Sequence, residues 1–131
     1  MPNKLLAIEW LESGKKHLEA AQILFKNGHY NDITGIELQQ AIERFLKAIA
    51  AYNNRVILRS HDLIILLEDI KHEIKFKKEV KEECELAADY YQDNRYPGRG
   101  NNFLPSDYEI KKVLVAAEYI YSVVNEYISK E

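Results

Sequence analysis

The single cysteine of this 131-residue chain, Cys84, rules out an intrachain disulfide framework. A lone thiol fits a reducing compartment. There are only three prolines and five glycines, so little interrupts long helices. No apolar run reaches the roughly 18 residues that a spanning helix needs, and the charged first dozen residues contain no signal-peptide core. The expectation is a cytoplasmic protein with no membrane partner. A basic excess is also missing. The 18 Lys and Arg stand against 21 Asp and Glu, a net charge of −3. A sequence-independent nucleic-acid binder is usually strongly basic, so any RNA contact has to come from a local patch. No segment alternates apolar and polar residues over a strand's length. No Gly-rich phosphate loop, cysteine pair or serine-nucleophile motif stands out. A di-metal bundle needs two Glu-x-x-His motifs on facing helices. The nearest approach is one Asp69-x-x-His72, with His17 and His29 scattered. No metal and no cofactor are expected.

What is present is helical periodicity. The chain is 47% apolar and 30% charged, a globular composition, and its length suits one domain spanning residues 1–131. Apolar residues at three- and four-residue spacing predict a first helix from about Leu5 to Lys26, with Ala7, Trp10, Leu11, Gly14, Leu18, Ala21, Leu24 and Phe25 on one stripe. Asn27-Gly28 stops it. A second helix runs from about Asp32 to Tyr52 on Leu38, Ala41, Ile42, Phe45 and Ile49. A short third covers about His61 to Ile70, with Ser60 as its expected N-cap and an unbroken apolar run that implies burial on several sides. A fourth covers about Lys77 to Tyr91. A fifth follows the capping box Ser106-x-x-Glu109 and runs to about Ser129. The fold class is therefore all-α: an up-and-down four-helix bundle with one additional short helix.

Three groups of residues could carry chemistry. Glu43 and Lys47 stand one turn apart in the favourable orientation for an ion pair, which on spacing alone reads as a surface pair of little energetic weight. His61 and Asp62 open the third helix, where backbone N–H groups attract anions and a histidine could hold a phosphate or exchange protons. The plainer reading is that Asp62 caps the helix. Arg95 and Arg99, in the Gly-, Pro- and Asn-rich stretch from Asn94 to Pro105, offer forked donors for phosphate, and Tyr96 offers a ring for stacking. The plainer reading there is a connecting turn. Nine tyrosines are many for this length. Tyr119, Tyr121 and Tyr127 on the last helix suggest either a dimer face or half-buried packing.

The run Ala41-Ile42-Glu43 with Lys47-Ala48, followed by His61-Asp62-Leu63, resembles the HEPN domain family, in which an A-I-E-x-x-x-K-A helix precedes an H-D-L helix start. Arg95-Tyr96-Pro97, after Tyr90-Tyr91, resembles the family's R-Y-P segment before its last long helix. The resemblance covers most of the chain and implies the same helical bundle. Nuclease members resemble one another in an Arg-x(4–6)-His motif whose two copies meet across a dimer in a metal-independent site. Arg55-x5-His61 fits that spacing, but at the junction of the second and third helices rather than near the later core helix. At the later place Arg95 is followed at the right spacing by Asn101, which cannot exchange protons near neutral pH. The resemblance thus implies a non-catalytic nucleotide-binding or accessory module. Its partner would be a minimal nucleotidyltransferase, as in toxin–antitoxin pairs, and the chain itself a homodimer. Glu43, Lys47, His61, Asp62, Arg95, Tyr96 and Arg99 would form the nucleotide site. The alternatives are a ribonuclease using Arg55 and His61 across a dimer, and a purely structural dimerisation module.

Overall fold

A computed structural model describes residues 2–91 and 104–130, and every regular element among them is helical. The elements are α1 (Lys4–Lys26), α2 (Asn31–Tyr52), α3 (Leu63–Ile70), α4 (Glu79–Ala88), a 3₁₀ turn (Asp89–Tyr91) and α5 (Asp107–Ser129). No described helix is long and apolar enough to cross a membrane.

The bundle is built around α2. From Leu38 to Ala51 only Gln40 and Arg44 escape full burial. This helix packs on α1, α3, α4 and α5, so only the strip of Gln40 and Arg44 along its middle reaches solvent. Phe45, Leu38 and Ile42 are completely buried, and each such side chain contributes about 1.5–3 kcal/mol of transfer free energy. Close approach of α1 depends on Gly14. A Cβ there would lie 2.6 Å from Cε1 of Phe45. On the other side of α2, a Cβ at Gly35 would meet the Tyr90 ring at 2.9 Å. Both ends of the described chain are tied to the end of α2. The Asn3 amide donates to the Tyr52 carbonyl (2.9 Å), and the Tyr52 hydroxyl donates to the Lys130 carbonyl (3.1 Å).

The helix ends follow local chemistry. Asn3 Oδ1 accepts from the Leu6 amide, and Ser106 Oγ from the Glu109 amide. The second half of that capping box goes elsewhere: the Glu109 carboxylate accepts from the buried Tyr90 hydroxyl, and burial together with this carboxylate pushes the Tyr90 phenol upward. Two boundaries differ from expectation. α3 begins at Leu63, not His61, because Asp62 rather than Ser60 is the N-cap. Asp62 Oδ1 accepts from the amides of Ile64 and Ile65, while Ser60 Oγ serves the Asp62 amide. α4 is shorter than Lys77–Tyr91. The Lys77 amide is held by the Tyr119 hydroxyl at 3.1 Å, and past Ala88 the chain tightens into the 3₁₀ turn. The burial of α3 holds at Leu63, Leu66 and Ile70, while Ile65 is 49% exposed.

Three tyrosines of α5 pack within the chain, while Tyr108 in its first turn is exposed. Tyr119 meets Phe76, Tyr121 meets Phe45, and Tyr127 meets Tyr52 and bonds Asn53. Cys84 is fully buried, and burial pushes its thiol up to about 12, so little reactive thiolate forms near neutral pH.

Candidate functional site

Gln39, Glu43 and Lys47 succeed one another on one side of α2 at four-residue intervals, facing His61 just ahead of α3 and Trp10 of α1. The expected surface pair is in fact interior: the side chains of Glu43 and Lys47 are 4% and 7% exposed. The reason is the position of α2 at the centre of the bundle, which leaves only the strip of Gln40 and Arg44 partly open to water. Glu43 is the hub. Lys47 Nζ donates to its Oε2 at 3.0 Å, Gln39 Nε2 donates to its Oε1 at 3.1 Å, and His61 Nδ1 lies 3.0 and 3.2 Å from the two oxygens. Gln39 also donates to the His61 carbonyl at 3.0 Å, fixing the backbone that delivers the ring. Lys47 lies 5.7 Å from the centre of the Trp10 ring.

Burial alone would raise the Glu43 pKa. The hydrogen bonds from Lys47, His61 and Gln39, with the charge of Lys47, outweigh burial and hold the carboxyl below the usual range. An ionised carboxylate only accepts, so Nδ1 of His61 must be the donor. That fixes which ring nitrogen carries a proton and turns Nε2 away from Glu43. Nε2 has no hydrogen-bond partner among the described residues, and the His61 side chain is 49% exposed. The imidazole is stacked on Tyr91, with ring centroids 4.4 Å apart and planes inclined by 23°. The result is a half-open aromatic shelf with a buried carboxylate behind it. It can stack on a flat ring, and it can donate to an anion or exchange a proton at Nε2.

The other expected residues are placed differently. Lys47 does not face outward to meet a phosphate, because its ammonium lies between Glu43 and the Trp10 ring. Asp62 faces its own helix as a cap. Arg95, Tyr96 and Arg99 lie outside the described residues. Arg55, paired with His61 in the nuclease alternative, is held elsewhere. Its Nε donates to Glu73 Oε2 at 2.9 Å, Nη1 to both Asp69 oxygens at 3.2 and 3.1 Å, and Nη2 to Glu73 and the Asp69 carbonyl. Arg55 and His61 have no described partner in common. The same ion pairs account for Asp69 in the Asp69-x-x-His72 motif. Sequence reasoning missed Gln39, Trp10 and Tyr91 as members of the shelf. A signal existed for the buried cluster. Residues 41–51 of α2 are apolar on every side except for Glu43, Arg44 and Lys47, and charges inside such a stretch must find one another.

Comparisons with known proteins agree with this architecture. The family model described as the HEPN domain matches residues 7–127. Among solved structures, the crystal structure of TT1696 from Thermus thermophilus is similar at 25% identity and a TM-score of 0.79, covering 92% of this chain and 97% of that one. ST0689, described as an archaeal HEPN homologue, is similar at 18% identity and a TM-score of 0.73, covering 94% and 98%. No curated protein matches the sequence. With the family match running over nearly the whole length and the bundle agreeing, the chain belongs to the HEPN domain family.

Proposed function

We propose that this chain is a non-catalytic nucleotide-binding module, acting as an accessory subunit or homodimer beside a minimal nucleotidyltransferase. The observation that carries this reading is the His61–Tyr91 shelf, with Nδ1 held by Glu43 and Nε2 without a partner among the described residues. A base stacks on such a shelf, and the imidazole edge donates to a phosphate when protonated. Arg95, Tyr96 and Arg99 follow Tyr91 closely in sequence and supply the phosphate donors and a second ring. Glu43 and Lys47 act in this reading as positioning residues, and Asp62 as the cap that sets the start of α3.

The test is a thermal-shift titration of the full chain against ATP, GTP, CTP, UTP and a short RNA. A ligand at 100 times its dissociation constant stabilises by about 2.7 kcal/mol, which moves the midpoint by roughly 8–15 °C at this size. A shift with one nucleotide that is lost in both His61→Ala and Arg95→Ala supports the module. No shift with any of them overturns it for the isolated chain.

One observation favours a second reading. A histidine backed by a buried carboxylate is also the arrangement of a general acid–base. On that reading the protein cleaves RNA in the presence of EDTA and loses the activity in His61→Ala. Because Arg55 is engaged by Asp69 and Glu73, Arg55→Ala should leave the cleavage rate unchanged.

A further inference from the structure

A second concave site lies at the corner between α3 and α4, apart from the His61 shelf. It encloses about 430 Å³, within the range of sites that take a ligand or a few side chains. Its floor is apolar: Leu67, Ile70, Ile74, Phe76 and Val80. Its rim is cationic. Of the eleven residues from Lys71 to Lys81, five are lysine and two are glutamate, in a chain whose net charge is −3. All five lysines line the pocket and are exposed. Two are engaged, since Lys71 pairs with Glu68, and Lys77 lies 4.3 Å from the centre of the Tyr119 ring. Lys75, Lys78 and Lys81 make no ion pair with any described residue.

We propose that this corner is a docking site for an acidic segment of a partner protein that inserts one or two large apolar side chains into the floor and sets its carboxylates against Lys75, Lys78 and Lys81. Charge complementarity selects the occupant. Several separate ammonium groups spread around one opening suit several separate carboxylates better than one compact headgroup. Lysine is a point charge that needs no planar, bidentate partner. The apolar floor is of no use to a nucleic-acid backbone, which is read by charge alone. The chain's net negative charge disfavours an acidic partner elsewhere on the surface, which orients its approach. A resident carboxylate already shows the local field: Glu68 on the rim is held below the usual range, first by its hydrogen bond and charge pairing with Lys71 and at longer range by His72 and Lys81.

The test is selection of short random peptides displayed on phage against the immobilised full chain. Labelled copies of the enriched peptides are then measured by fluorescence anisotropy at low and moderate salt. Enrichment of sequences that flank a leucine or aromatic residue with Asp and Glu is expected. Their affinity should fall at least tenfold in Lys75→Glu/Lys78→Glu, with circular dichroism checking that these exposed substitutions keep the fold. It should fall similarly in a peptide whose apolar anchor is replaced by serine. Peptides lacking acids, or binding unchanged in the charge-reversed variant, would overturn the proposal. So would a polyuridine oligonucleotide that binds more tightly than any selected peptide and is lost in the same variant, since the corner would then be a nucleic-acid surface.

Discussion

Two polar clusters flank the connection between α2 and α3, and each gathers two titratable side chains around one hub. Glu43 collects Lys47 and His61 in the interior, while Arg55 collects Asp69 and Glu73 at the half-exposed edge. They look alike as lists of ion pairs and differ in what they leave over. The Arg55 cluster is closed: Nε, Nη1 and Nη2 all donate to acceptors on α3 and the turn after it. The Glu43 cluster ends in a half-exposed histidine whose second nitrogen has no partner among the described residues. A saturated cluster fastens two segments together. An unsaturated one built over a buried charge presents a reactive edge and holds it still. The cost of the buried charge makes sense in the second case, because interior ion pairs are weak stabilisers beside an apolar replacement.

The largest effect should come from breaking the interior pair. Lys47→Ala strands the buried Glu43 carboxylate without its lysine and should cost about 3–5 kcal/mol, read as a drop in the midpoint of urea unfolding. A loss below about 1 kcal/mol would mean that water enters the cluster and that it is not interior in solution. Acid should separate the clusters next. The carboxyl of Glu43 titrates lower in the folded chain than in the unfolded one. Its contribution is therefore full above the unfolded value near 4.5 and is lost as the pH falls through the lower folded value. The stability gap between the native chain and Glu43→Gln, measured from pH 7 to pH 3, should shrink on acidification. A gap that widens would reverse the assignment of Glu43 as the ionised hub. Arg55→Ala should cost less, about 1–2 kcal/mol, because Asp69 and Glu73 can turn to solvent once released. The smallest effect on stability belongs to His61→Ala, about 0.5 kcal/mol or less, since the ring is half exposed. The same substitution should remove nucleotide binding in the thermal-shift titration. Retained binding would detach function from the shelf.

The legible and illegible parts of this fold divide along the same line. α1, α2 and α5 were readable to within a residue or so, because a long apolar stripe with an Asn, Gly or Ser terminus is written in consecutive residues. The start of α3 was harder. Ser60 and Asp62 both accept backbone hydrogen bonds, and only geometry decides that the aspartate caps the helix. The family was legible from Glu43, Lys47, His61 and Asp62 at their spacing. Their roles were not, because an i,i+4 pair has the same sequence whether it faces water or Trp10. Nor could periodicity show that Tyr90 turns inward to Glu109 while its neighbour Tyr91 turns to His61.

The near-contact between Gly14 and Phe45 has a consequence for the order of events as the chain leaves the ribosome. α1 and α2 are consecutive and joined by a short corner, and their contact needs no later segment. Such neighbour-to-neighbour packing is entropically inexpensive and forms early. α5, which packs on both α1 and α2, emerges after them. Until it arrives the hairpin carries an uncovered apolar flank that includes Phe45, the partner of Tyr121. Gly14→Ala, which obstructs the hairpin itself, should therefore slow refolding in stopped-flow experiments. Truncation of Tyr121 should act mainly on the rate of unfolding.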